Sequence, residues 1–177
     1  MAVWNVIDHT ELTGSAATYD VSSIPTDGTY DHLYLAMSVR TDSSGFYESL
    51  YLRFNGDSGS NYSTVALYAG TTTPSSNKND SVAQIENIYV STASHLADTF
   101  SPIRIWIPNY ANSANFKPLF LSSNAVGNSS TNNQWYVSYT GGMWADTDAI
   151  DQLTVTIAGG DSFVEYSTFT LYGLVGA

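Results

Sequence analysis

Leu33-Tyr34-Leu35-Ala36-Met37-Ser38-Val39-Arg40 puts Leu33, Leu35, Met37 and Val39 on one side of an extended chain, and Tyr34, Ser38 and Arg40 on the other. Successive side chains of a strand point to opposite faces, so this run can give one face to a core and leave the other outside. The pattern returns in Leu50-Tyr51-Leu52-Arg53-Phe54, in Ile103-Arg104-Ile105-Trp106-Ile107, in Leu153/Val155/Ile157 and between residues 163 and 174. Trp135, Val137 and Tyr139 read as one more core-facing set. Thr, Tyr, Val, Ile and Phe enrichment in these runs supports strands. No segment longer than about ten residues carries the 3.6-residue apolar stripe of a helix, although residues 91–100 would accommodate a short helical turn.

Turn-forming clusters separate the runs: Pro25-Thr26-Asp27-Gly28, Asp42-Ser43-Ser44-Gly45, Asn55-Gly56-Asp57-Ser58-Gly59 and Thr73-Pro74-Ser75-Ser76-Asn77. Others are residues 109–115 and 124–133, Gly141-Gly142 and Gly159-Gly160-Asp161. Gly, Asn and Asp provide the positive φ or local side-chain bonds that reversals need. Eight or nine strands at this spacing predict an all-β chain, an antiparallel β-sandwich, and specifically an eight-stranded jelly roll. No composition break divides the 177 residues, so a single domain over 1–177 is expected. Within it, residues 1–8, with Trp4, Val6 and Ile7, form either an added edge strand or an arm exchanged with a neighbour.

Composition narrows the partners. Five Lys and Arg stand against 16 Asp and Glu, a formal net charge of −11. No basic patch can be assembled to neutralise phosphates, so neither nucleic acid nor an anionic membrane is an expected partner. Cysteine is absent, which removes disulfides and thiolate metal sites. Only 12% of residues are charged, so solubility rests on the 24 Ser, 19 Thr and 13 Asn. Asn5, Asp8, His9 and Glu11 interrupt any apolar leader in the first eleven residues.

Catalytic chemistry is weakly signalled. His9, His32 and His95 are far apart and make no His-x-x-x-His pair; His32, after Asp31, is expected to bond turn backbone. There is no Gly-x-Ser-x-Gly elbow and no phosphate loop, since neither lysine follows a glycine. Asp146, Asp148 and Asp151 cluster after Trp144, with Glu165 further on, but they read as a solvated loop and not as a glycosidase pair. Asn55-x-Asp57-x-Gly59-x-Asn61 sets oxygens at alternate positions as calcium loops do, yet lacks the closing bidentate acid, so no metal is expected. The sequons at Asn61, Asn79 and Asn128 occur at the frequency chance predicts for this composition. No enzyme activity and no cofactor are expected. Trp106 must face away from the core that takes Ile105 and Ile107, as packing, subunit contact or ligand platform.

The C-terminal third carries a more specific signal. Gly142-Met143-Trp144, Thr147, Ala149-Ile150, Leu153 and Val155, then Phe163, Ser167 and Leu171-Tyr172-Gly173-Leu174, resemble a pattern of tailed-bacteriophage virion structural proteins. Tyr30-Asp31-His32-Leu33-Tyr34-Leu35, Leu52-Arg53-Phe54-Asn55-Gly56-Asp57 and Asn61-Tyr62-Ser63 extend the likeness over most of the chain. The resemblance implies a jelly-roll module: a capsid decoration (cement) protein, or a domain of a tail fibre or baseplate. The absence of a visible stalk sequence favours decoration. That reading implies a homotrimer on the outer head surface that caps capsomers and binds the major capsid protein. Trp4, Val6, Ile7 and Trp106 are the candidate interface residues. The alternative is a tail module that binds host glycans through the loops at 75–79 and 124–133.

Overall fold

In a computed structural model the chain is described over residues 3–70, 73–127 and 135–175. These hold twelve strands and no helix: β1 (Val3–Glu11), β2 (Thr18–Val21), β3 (His32–Val39), β4 (Glu48–Phe54), β5 (Tyr62–Gly70), β6 (Thr73–Val82), β7 (Ile85–Val90), β8 (Ser101–Pro108), β9 (Lys117–Val126), β10 (Trp135–Trp144), β11 (Leu153–Ile157) and β12 (Thr168–Val175). An eight-stranded sheet runs β1-β12-β3-β8-β9-β10-β5-β6, and a four-stranded sheet runs β2-β11-β4-β7. Every strand pairing is antiparallel. The result is the expected all-β sandwich. Its strand count departs from the eight of a simple jelly roll, because the β8-β9-β10 meander and the edge strands β1 and β6 widen one sheet.

The alternation decides what is inside. Leu33, Leu35, Met37 and Val39 of β3 and Ile103, Ile105 and Ile107 of β8 are buried from the large sheet. Leu50, Leu52 and Phe54 of β4 and Leu153, Val155 and Ile157 of β11 meet them from the small one, in a single core cluster. Burying each such side chain contributes about 1.5–3 kcal/mol. Asn55 and Gly56 both take positive φ (51° and 66°), and the Asp57 amide closes the reversal on the Phe54 carbonyl at 2.9 Å. Asn-Gly suits this turn because glycine has no Cβ to clash and asparagine tolerates the left-handed region.

Four readings change. Gly141-Gly142, expected in a turn, lies inside β10 in register with β9 and β5, since glycine costs a strand only side-chain packing. Thr73-Pro74-Ser75-Ser76-Asn77 lies in β6 and is not a turn: an exposed edge strand has no core to fill, so it needs no apolar alternation. Trp135, Val137 and Tyr139 face outward, while Ser138 and Thr140 point in, where both hydroxyls reach the Asn87 carbonyl. Trp144, buried on the same strand, sets that parity. Residues 91–100 form turns and no helix; the Arg40 guanidinium holds them by donating to the carbonyls of Ala93, His95, Leu96 and Thr99.

Candidate functional site

The outward face of the large sheet is the unusual surface. Antiparallel register aligns one row across all eight strands: Val6, Tyr172, Tyr34, Trp106, Phe120, Gly141, Val65 and Lys78. The next row is His9, Thr170, Ala36, Arg104, Ser122, Tyr139, Leu67 and Ser76. Trp4, Val6, Val65, Leu67, Phe120 and Tyr139 are each more than half exposed, and Trp135, Val137 and Met143 are also exposed. A monomer's largest apolar patch is usually about 300–600 Å² and often functional.

Several depressions mark this face, and two bear on its chemistry. One, of about 260 Å³, is lined by Tyr34, Arg104, Trp106, Phe120, Ser122 and Tyr139. The other, of about 290 Å³, lies between β5, β6 and β10 beside Val65, Gly141 and Met143. It exists because Gly141 interrupts the row without a side chain. A Cβ built there would meet only the Val65 Cγ1, at an ordinary 3.7 Å, so the local packing does not itself require glycine.

The electrostatics separate this face from the rest. The six strands between the two edges, β12, β3, β8, β9, β10 and β5, contain no carboxylate, in a chain with 16. The large sheet's acids are Asp8 and Glu11 on β1 and Asp80 on β6. Asp8 accepts the inward Tyr19 hydroxyl at 2.8 Å, and Asp80 pairs with Lys78. Arg104 is therefore the one exposed charged side chain on these six strands, set among rings, while the Lys78–Asp80 pair lies at the β6 edge.

The expected interface residues divide. Trp4 and Val6 lie on this face; the Trp4 ring meets Tyr34 and Tyr172 edge-on, at 5.0 and 5.7 Å between centroids. Trp106 lies there too, half-buried, against His32 at 4.9 Å. Ile7 does not: following outward Val6 it takes the inner parity and packs at the core edge, and the bulge between Val6 and Asp8 keeps Asp8 on that inner side as well. The sequence reading missed Val65, Leu67, Phe120 and Met143. Its available signal was apolar residues at both parities, as in Leu119-Phe120-Leu121 and Val65-Ala66-Leu67.

The other candidates are engaged in structure. Asp57 accepts from the Gly59 amide (2.7 Å), Asn61 Nδ2 (2.9 Å) and the indole Nε1 of buried Trp144 (2.7 Å). Partial burial raises the Asp57 pKa, but the bonds donated by Asn61, Trp144 and Gly59 outweigh it, and the net shift is downward. Asn55 accepts from the amides of Asp151 and Gln152 and donates to the Ala149 carbonyl. These oxygens accept hydrogen bonds from protein donors. Among the described residues no group of three His, Asp or Glu is placed to hold a metal. His32 Nδ1 accepts the Asn109 amide at 3.1 Å, the turn-backbone bond expected of it. Asp146 Oδ1 accepts the Asp148 amide in a local turn. Beneath that turn, Lys117 is buried with its ammonium on the carbonyls of Asn115 and Thr147; burial lowers its pKa, while Asp146 and Asp148 oppose the shift.

Of the glycan-loop candidates, 75–79 is strand, while Asn128 and the rest of 128–133 lie outside the described residues. No family model matches the chain, and no curated protein and no solved structure matches it.

Proposed function

We propose that this chain is a structural protein of a tailed-phage particle, a decoration protein that caps capsomers on the outer head surface and acts by adhesion, not catalysis. The observation that carries the reading is the broad apolar face on six strands without a carboxylate, in a chain whose net charge is −11. Such a surface suits association with protein, and the acidity elsewhere disfavours DNA. The strand-and-turn resemblance to phage virion proteins supplies the setting.

The mechanism is mass action: a protein that binds only the assembled shell stabilises it in proportion to occupancy. Copies joined to one another bridge several shell subunits, so no single contact has to be strong. The test compares particles prepared with and without the protein. Those carrying it should retain DNA at higher temperature, and electron microscopy should place it on the head. Its absence from purified particles, or unchanged heat resistance, would defeat the proposal.

A second reading has its own support. The depression around Arg104 sets a cation and the Ser122 hydroxyl among Tyr34, Trp106, Phe120 and Tyr139, groups that stack on and hydrogen-bond a sugar. A tail module that binds a host glycan would use it. A glycan array with the purified chain, beside its Arg104→Ala variant, separates the two readings.

A further inference from the structure

We infer that the outward face of the large sheet is covered by the same face of a second copy, the two sheets packing face to face about a two-fold axis. The inference rests on reading this face as an adhesive surface, and it names the occupant. Three observations select another copy of this chain.

The first is electrostatic. Copies with a net charge of −11 repel, and the least costly approach brings together the surfaces poorest in unpaired carboxylates. The six strands that the pairing covers, β3, β8, β9, β10, β5 and β6, hold a single carboxylate, Asp80, and Lys78 pairs with it. The polar outside of the small sheet carries Asp20 and Glu86.

The second is shape. Phe120 projects from β9, and its neighbour in the row is Gly141 on β10, beside the depression of about 290 Å³. A knob and a notch on adjacent strands are self-complementary. A two-fold axis lying between the sheets and running along the β9–β10 seam sets each Phe120 over the other copy's Gly141. The same operation sets Trp106 over Val65, and Tyr34 over Lys78, where ring and ammonium attract. An isologous contact of this kind closes on itself at two copies.

The third is area. Six strands spaced about 4.8 Å apart, each contributing about 20 Å of length, present about 600 Å² of flat sheet. Two such faces bury about 1,200 Å², the lower bound for stable specific interfaces. The pairing leaves β1 and β12 overhanging, so Trp4, Val6 and the unpaired backbone edge of β1 stay available to shell protein. It replaces the trimer implied by the resemblance with an isologous pair.

Sedimentation velocity and light scattering on the full chain test this, with circular dichroism to verify folding. The unaltered protein should run at the mass of two chains. Gly141→Leu fills the notch and Phe120→Asp charges the knob; each should weaken pairing by about 100-fold while leaving the fold intact. Gly141 is suitable because its φ is not positive and a Cβ there meets only Val65. Thr156→Glu, on the small sheet, should leave the mass unchanged. A single-chain mass for the unaltered protein, an assembly of any other size, or a pair that survives both substitutions would overturn the inference. None of those results bears on the heat resistance of particles, so this pairing and the capsid reading fail separately.

Discussion

The two outsides of the sandwich are built from the same alternation and finished differently. On the small sheet, the Asp20 carboxylate accepts from Gln152 Nε2 and Thr154 Oγ1. Alongside, Arg53 donates to Gln84 and to the Ala83 carbonyl, and Asn79 to Glu86. These side chains satisfy one another and face water. On the large sheet the corresponding positions are half-buried Trp106 and the more exposed Phe120, Tyr139, Val65 and Leu67, whose gain on burial is largely not collected within the chain. The difference teaches that period two guarantees only that a strand has two sides. Whether the second side is a finished surface or half of an interface depends on what the residues there can bond to.

The largest test of this contrast lies within β9, where Leu121 is fully buried and its neighbour Phe120 is more than half exposed. Leu121→Ala should cost about 2–5 kcal/mol in urea denaturation. Phe120→Ala should cost less than about 0.5 kcal/mol when parent and variant are diluted until they run as single chains, because its partner is not part of that chain. Equal losses would mean the outward face stabilises the monomer and the contrast is false.

Next is the interior between the faces. Burial raises the phenol pKa values of Tyr62 and Tyr110 to about 12, against an ordinary value of 10. A raised pKa contributes stability that is fully present below the unfolded value and is lost as the pH rises through the folded one. Denaturation midpoints should therefore fall steeply between pH 10 and 12. A midpoint that is flat across this window would place these rings in water. Asp57 works in the opposite direction: its lowered pKa contributes stability above the ordinary value of 3.8, which fades as the pH falls through the folded value. Asp57→Asn should flatten the acid limb of the stability curve.

The smallest effect belongs to the finished face. Asp20→Ala removes the acceptor of the small-sheet network and should cost about 1 kcal/mol by thermal melting, with no change in association. A change in association there would make the small sheet an interface too.

How much was legible follows the same division. The core parities of β3, β4, β8 and β11 could be read because one side of each run is aliphatic and the other is mostly polar or aromatic. β10 misled because its large residues, Trp135, Val137 and Tyr139, are outside, and the inner positions hold Ser138 and Thr140 beneath Asn87. β6 was hidden because an exposed edge strand has no apolar pattern. The candidate face was half legible: Trp4, Val6 and Trp106 could be named, whereas Phe120 and Val65 looked like core. The motifs behind the phage resemblance turn out to be architectural. Asn55, Asp57 and Asn61 bond to the segment from Trp144 to Gln152, with the Trp144 ring stacked near Tyr62. Gly173 leaves room for the Tyr30 ring, which would lie 2.4 Å from a Cβ there.

By itself the sequence determined an all-β chain of antiparallel strands, acidic overall and free of thiol chemistry, because alternation and charge are properties of residue order alone. Which side of β10 faces in, that glycine leaves a notch beside Phe120, and that residues from seven strands, β1 to β5 in sheet order, form one largely apolar surface were decided only by the tertiary structure. Register and the position of the second sheet are long-range contacts, and no local pattern carries them.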